Sequence, residues 1–113
     1  MNGKEYLESV IEKAQGVLSG IKASEKLDGD PLLEGLAKSC ETLGQLKNKA
    51  TLRTRSGATL AIPVFESVER LEEEWENAGG GDDLGDVKER IEEFLTSVDV
   101  LGGALKERTV IMT

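Results

Sequence analysis

Residues 4–23, KEYLESVIEKAQGVLSGIKA, carry the pattern that decides the fold. Apolar side chains recur there at intervals of three and four residues, which places them on one face of an α-helix. They are Tyr6, Leu7, Val10, Ile11, Ala14, Val17, Leu18 and Ile21. Charged residues take the opposite face. The segment therefore predicts an amphipathic helix that needs a partner to cover its apolar side.

The same pattern returns three more times along the chain. It predicts four helices, at residues 4–23, 31–50, 63–78 and 83–100. Each apolar stripe is too narrow for burial on all sides, so the four helices are expected to share one core. We therefore expect a mainly α fold, with the four helices forming a single small bundle-like domain over residues 1–113.

Proline and glycine mark the expected helix ends. Asp30-Pro31 is typical of a helix start, because the aspartate accepts a free N–H group and proline fits the first helical position. Pro63 is expected to open the third helix. Glycines at 79–81 end that helix, and Gly102-Gly103 ends the fourth, because glycine loses more backbone entropy in a helix than any other residue.

Residues 51–62 do not continue the helical pattern. Ser56-Gly57 separates two five-residue runs, Thr51–Arg55 and Ala58–Ile62, which favours a short β-hairpin. An extended loop is the alternative. Residues 108–113 also resemble a strand, and we expect this C-terminal strand to pair with the hairpin in the same chain or in a neighbour.

Composition excludes several classes of protein. No apolar run approaches the roughly 20 residues of a membrane-spanning helix, so no membrane role is expected. One cysteine permits no internal disulfide, and no signal-peptide pattern opens the chain, so the expected location is cytoplasmic. The absence of histidine removes the commonest general base and metal ligand. We expect no enzymatic activity and no cofactor.

The net charge of −8 is concentrated in one quarter of the chain. Residues 66–93 hold 12 acids and 3 bases, whereas residues 1–65 hold 8 acids and 9 bases. A net-negative protein repels the phosphate backbone, so direct nucleic-acid binding is not expected. A protein partner with a basic surface meets no such repulsion and is electrostatically more favourable.

The acidic region contains a motif of spaced carboxylates. Glu72, Glu73 and Glu76 spell E-E-x-x-E, and Glu89-x-x-Glu92 follows. This pattern resembles the motif with which all-helical nucleotide pyrophosphohydrolases hold Mg²⁺, although that family has aspartate at the position of Glu92. The resemblance implies a magnesium-dependent nucleotide hydrolase, which is the third functional hypothesis.

Helical geometry gives a different prediction for these carboxylates. Placed at 100° steps, most of them point away from the apolar stripe: Glu66, Glu69, Glu73, Glu76, Glu89, Glu92 and Glu93. A Mg²⁺ site needs several oxygens converging in one pocket. The pattern therefore favours a solvated acidic face, and no metal site is predicted. Cys40, within the second stripe and without a histidine to activate it, is expected to be an inert core residue.

The preferred hypothesis is a non-enzymatic protein–protein interaction or assembly protein: an adaptor, a chaperone or a structural subunit that binds a protein partner or itself. Arg53 and Arg55 share one face if they lie in a strand, and guanidinium groups grip carboxylates well; alternatively they balance the protein's own acids. The predicted partner-binding residues are Arg53, Arg55, Leu60, Ile62, Glu69, Glu73, Glu76, Val110 and Met112.

An acidic inhibitor, or a nucleic-acid mimic of the phage type, is the alternative hypothesis. A row of carboxylates at helical spacing imitates backbone charge and suits a basic protein. Such binding would collapse with added salt, whereas contact through apolar side chains would persist.

Overall fold

The computed structural model describes residues 2–78 and 84–111, with the backbone alone at 107–111. Within those ranges the chain forms α1 (Gly3–Ser24), α2 (Pro31–Leu46), α3 (Ala58–Ala78) and α4 (Gly85–Ile111). Two short 3₁₀ turns, Ala50–Arg53 and Arg55–Gly57, connect α2 to α3, and the described residues contain no β-strand. The predicted mainly α, bundle-like fold of four helices is confirmed.

Side-chain caps fix the starts of the first two helices. Asn2 and Glu5 form a capping box: Asn2 Oδ1 accepts from the Glu5 N–H at 2.9 Å, and Glu5 Oε1 accepts from the Asn2 N–H at 3.2 Å. Asp30 Oδ1 accepts from the Leu32 N–H at 2.9 Å, with Pro31 in the first helical position. The predicted start of the second helix at Pro31 is therefore confirmed.

Helices α1 and α3 run parallel to each other. The rings of Tyr6 and Phe65 meet edge to face, with centroids 5.3 Å apart. Two turns further along both helices, Lys13 Nζ lies 3.4 Å from Glu72 Oε1. In each pair the two residues are 59 positions apart in sequence. This constant separation means that α1 and α3 run in the same direction.

Helix α4 runs antiparallel to α3. The hydroxyls of Ser67 and Ser97 lie 2.9 Å apart at the middle of the contact. Further along α3, Arg70 Nε lies 3.7 Å from a carboxylate oxygen of Glu93, which precedes Ser97 in α4. The two helices thus form an antiparallel helical hairpin.

Helix α4 is also parallel to α2, so the bundle is a stack of two hairpins. Lys88 Nζ in the first turn of α4 lies 3.1 Å from Asp30 Oδ2 at the start of α2. Five residues after Asp30 and seven after Lys88, Leu95 packs against Gly35. The first hairpin, α1 with α2, therefore lies on the second, α3 with α4, with α1 over α3 and α2 over α4.

The core lies between the two hairpins and collects the apolar stripes of all four helices. Phe94 of α4 is its largest fully buried side chain. The other fully buried large side chains are Leu7, Val10, Ile21, Leu36, Leu43, Leu52, Val64, Val68, Leu71, Val87 and Ile91. Leu52 comes from the first 3₁₀ turn, so the connection between the hairpins also contributes to the core.

The prediction of a β-hairpin at residues 51–62 is wrong. Thr54 caps the second 3₁₀ turn, where its hydroxyl accepts from the Gly57 N–H at 3.2 Å, and α3 begins immediately afterwards at Ala58. Glycine is needed at 57 because a Cβ there would lie 2.7 Å from Leu52 Cα. The same turn also lies close to the start of α1. A Cβ on Gly3 would lie 2.7 Å from the Gly57 carbonyl oxygen, so this turn and the start of α1 meet backbone to backbone.

Helix α3 starts five residues earlier than predicted, and Pro63 lies inside it. Proline there removes one N–H donor, so the carbonyl of Thr59, four residues earlier, loses its helical partner. Thr59 is exposed and water can take that place. The second helix also ends at Leu46, four residues before the predicted end.

The prediction of a C-terminal strand at 108–113 is wrong for residues 108–111. Helix α4 continues past its predicted end at residue 100, through Gly102-Gly103, and reaches Ile111. Leu101 and Leu105 on either side of the glycines are buried, and that burial offsets the helical cost of two glycines. Residues 112–113, and the glycines at 79–81 that are predicted to end the third helix, lie outside the described residues.

Trp75 is half-buried and packs against α1 rather than within the core. A Cβ on Gly20 would lie 2.8 Å from Trp75 Nε1, so the missing side chain makes room for the indole. Gly16 has no atom within 4 Å of such a Cβ and is simply tolerated. Gly20 thus has a packing role, as does Gly3 at the start of α1, whereas Gly16 has none.

The stability that the Asp30 cap contributes depends on pH. The hydrogen bond from the Leu32 N–H, and next the one from Lys88, hold the pKa of Asp30 below its ordinary value of 3.8. A lowered pKa contributes stability that is present above pH 3.8 and is lost as the pH falls through the folded-state value. Asp30→Asn keeps a capping oxygen but loses the charge.

Between about pH 5 and pH 2.5, the wild type is therefore expected to lose more stability than the Asp30→Asn variant. Urea unfolding at the two pH values measures the difference. Equal losses for both proteins would show that the Asp30 carboxylate does not stabilise the start of α2.

Candidate functional site

An apolar groove lies between the start of α3 and the middle of α4. Its volume is about 300 Å³. Its apolar lining is Leu60, Pro63 and Val64 from α3, with Val100, Leu101 and Ala104 from α4; Thr59 and Ser97 complete it. Val64 and Leu101 form the buried floor, while Pro63 and Val100 stand at the exposed rims. We call this feature the apolar groove.

Val100 distinguishes this surface from the rest of the described chain. Its side chain is 66% exposed, and it is the one large hydrophobic residue classed as exposed among the described residues. Isolated apolar side chains on a surface need no explanation. Val100, however, stands beside a groove lined by further apolar atoms, so the exposed apolar area is continuous.

A pair of serine hydroxyls lies beneath the inner end of the groove. Ser67 donates to the Val64 carbonyl at 2.8 Å, and Ser97 donates to the Phe94 carbonyl at 2.7 Å. The two hydroxyl oxygens are also 2.9 Å apart. The two hydroxyl protons cannot make all three hydrogen bonds at once. When one serine hydroxyl donates to the other, it no longer donates to its own carbonyl. This polar pair separates the apolar groove from the charged groove that follows.

The charged groove continues the seam between α3 and α4 toward the start of α4. It has a volume of about 680 Å³ and is lined by Arg70, Glu89, Arg90, Glu92, Glu93, Thr96 and Ser97. Arg90 donates two hydrogen bonds to Glu93, at 3.0 and 3.1 Å, which raise the pKa of the Arg90 guanidinium above its ordinary value. Both arginines of this groove therefore pair with the same carboxylate, Glu93.

The outer side of α3 carries the acidic face, which consists of Glu66, Glu69, Glu73 and Glu76. All four side chains are exposed, as the sequence predicts. Among the residues that the structure describes, none of the four has an ion-pair partner. Glu72 differs, since it turns toward α1 and pairs with Lys13.

Arg53 and Arg55 lie at the opposite end of the molecule from most of these acids, in the two 3₁₀ turns before α3. Both side chains are exposed. No acid of the described chain forms an ion pair with either arginine. The described residues therefore show no ion pair through which the two arginines would balance the protein's own carboxylates.

The remaining predicted partner-binding residues are scattered. Leu60 lines the apolar groove, whereas Ile62 is half-buried and lies outside its lining. Val110 belongs to the helical backbone of α4, and Met112 lies outside the described residues. Sequence analysis missed Pro63, Val100 and Ala104, because proline and the glycine pair were interpreted as helix ends.

Cysteine and grouped acidic side chains are groups of this chain that could act in catalysis or hold a metal. Cys40 is buried, and that burial raises the pKa of its thiol, which disfavours the reactive thiolate. Within the described residues, no three or more cysteine and acidic side chains are grouped so as to hold a metal ion. Among the described helices, none combines the length and the hydropathy that a membrane-spanning segment requires.

The fold and site define a four-helix protein made of two stacked hairpins, with an apolar groove along the outer seam of the second. Comparison of the chain with protein-family models, with curated proteins and with solved structures gave no significant match.

Proposed function

We propose that this protein is a non-enzymatic protein-interaction or assembly module, and that the apolar groove is its contact surface. The observation that carries the proposal is Val100, 66% exposed at the rim of a groove whose lining is apolar on both helices. Burial of such a continuous apolar area by a partner is favourable in proportion to the area removed from water.

The architecture of the groove also supports a contact role. Its two walls are a pair of helices held together by the core, with Val64 and Leu101 buried below. A surface of this kind changes little when a partner binds, so little conformational entropy is lost on association. The side chains at the rim are aliphatic or proline, so they can pack against a partner but carry no group that acts in catalysis.

Site-specific photo-cross-linking tests the proposal. A benzophenone amino acid at position 100 is expected to give discrete cross-linked protein adducts in cells that express the chain. The same amino acid at position 41 provides the matched control, because Glu41 is an exposed residue on α2, in the other hairpin. Mass spectrometry of the adducts identifies what lies against each position.

Adducts from position 100 that are no more abundant than those from position 41 would contradict the proposed contact surface. The exposure of Val100 makes the substitution compatible with folding, and circular dichroism checks that the helical content is kept.

A further inference from the structure

The connection between the two hairpins is a basic segment in an acidic chain. Residues 42–65 contain no acid, and their four charges are all positive: Lys47, Lys49, Arg53 and Arg55. The whole chain carries a net charge of −8, so its positive and negative charges are segregated along the sequence. We call residues 47–57, which hold all four bases, the basic connection.

The fold keeps these bases together. The basic connection follows α2 directly, and its two 3₁₀ turns end where α3 begins. A 3₁₀ helix rises only about 2 Å per residue, so the backbone positions of Lys49 and Arg55 are roughly 15 Å apart or less. Asn2 Nδ2 donates to the Arg53 carbonyl at 3.3 Å, which holds the connection against the start of α1. The four bases therefore share one end of the bundle.

The bases of the basic connection have no acidic partner within the described residues. In that part of the chain, no carboxylate forms an ion pair with any of the four. Lys49, Arg53 and Arg55 are exposed, and Lys47 is half-buried. Their mutual repulsion is not offset by an ion pair, so an anion from outside the molecule is attracted to this end.

The remaining charge of the chain restricts this anion to a short one. The acidic face begins at Glu66, and residues 66–93 hold 12 acids and 3 bases. A long polyanion, such as a nucleic acid, extends beyond the basic connection and is repelled by these acids. A short run of carboxylates can end where the bases end.

The apolar groove is a reason to expect a polypeptide. Thr59 lines the groove, and its hydroxyl donates to the Ser56 carbonyl in the second 3₁₀ turn at 2.7 Å. The backbone of the basic connection therefore adjoins the groove. A polypeptide can present aliphatic and acidic side chains next to each other, whereas a nucleic acid has no aliphatic side chain to place in the groove.

We infer that the partner of this protein is a polypeptide with a short acidic segment, and that the basic connection binds the carboxylates of that segment. Arg53 and Arg55 are the main contacts, because one guanidinium can donate two hydrogen bonds to one carboxylate. Lys49 adds positive charge without that geometry. The inference rests on the proposed function, since it names the chemistry of the partner that covers the apolar groove.

An NMR titration with an acidic peptide tests the inference. The isotope-labelled protein is titrated with a peptide of ten glutamates, blocked at both ends, and the backbone amide shifts are followed at low salt. The amides of residues 47–57 are expected to shift as the peptide binds. The dissociation constant is expected to rise severalfold at about 0.3 M salt, where exposed charges are screened.

Arg53→Gln combined with Arg55→Gln is expected to raise the dissociation constant of this peptide about fivefold or more, because the variant lacks both guanidinium groups. The matched control combines Lys22→Gln with Lys38→Gln, which removes the same charge from exposed lysines of α1 and α2. Both lysines lie more than about 10 Å from the basic connection along their helices. The control is expected to change the constant less than about twofold.

Three results would overturn the inference. The first is an equal loss of affinity in the two double variants, and the second is no shift in residues 47–57 at up to about 5 mM peptide. The third is tighter binding of a strand of ten thymidylates at the same amides, which would replace the polypeptide by a nucleic acid. The proposed function fails separately, because adducts at position 100 report on the apolar groove and the titration reports on the basic connection.

Discussion

Replacement of Phe94 by alanine is expected to lower the free energy of unfolding by about 3–5 kcal/mol. Phe94 is the largest fully buried side chain, and it projects from α4 into the core between the two hairpins. Truncation removes its apolar contacts and leaves a cavity that the surrounding helices fill only in part. Urea unfolding followed by circular dichroism measures the loss.

Phe94→Leu is the matched control for this prediction. Leucine keeps much of the apolar volume, so the loss of stability is expected to be clearly smaller than for alanine. A loss below about 1 kcal/mol for Phe94→Ala would be typical of a surface substitution, and it would contradict the arrangement in which α4 completes the core.

Gly57→Ala is expected to cost about 1–3 kcal/mol, because the added methyl group has no free space. It would lie 2.7 Å from Leu52 Cα and closer still to the Thr51 carbonyl oxygen. Both are backbone atoms, so relief requires movement of the connection between the hairpins rather than rotation of a side chain. Leu52, buried in the core, holds that connection in place.

Gly16→Ala is the control, since no atom lies within 4 Å of a Cβ at that position. In the interior of α1, alanine is expected to stabilise the protein by about 0.5–1 kcal/mol. Thermal and urea unfolding of both variants give the comparison. A Gly57→Ala protein as stable as the wild type would show that Gly57 does not lie directly against the backbone of Thr51 and Leu52.

The four helices could be predicted from sequence because their apolar stripes follow the helical period over several turns. The start of α2 was also predictable, since the hydrogen bond from Leu32 to Asp30 is local and leaves a signature in the sequence. Local signals were misleading where tertiary packing outweighed them. Pro63, Gly102 and Gly103 lie inside helices that the core stabilises along their length.

The apolar groove could not be predicted for the same reason. It exists because the start of α3 lies beside the middle of α4, whereas the sequence pattern favours a strand in the first segment and a helix end in the second. The predicted contact role of Leu60 depends on an expected strand, yet Leu60 lines the groove from a helix. Exposure of Val100 depends on how α4 packs, which no local pattern in the sequence reveals.

The most direct test of the proposed function asks whether a protein contact at Val100 depends on the apolar groove. Photo-cross-linking from position 100 is compared between the otherwise unchanged chain and a chain that also carries Pro63→Asp, which places a charge at the opposite, exposed rim of the groove. Discrete protein adducts are expected from the first chain and few or none from the second, with both chains folded by circular dichroism. Equal adduct yields from the two chains would contradict the proposed contact surface.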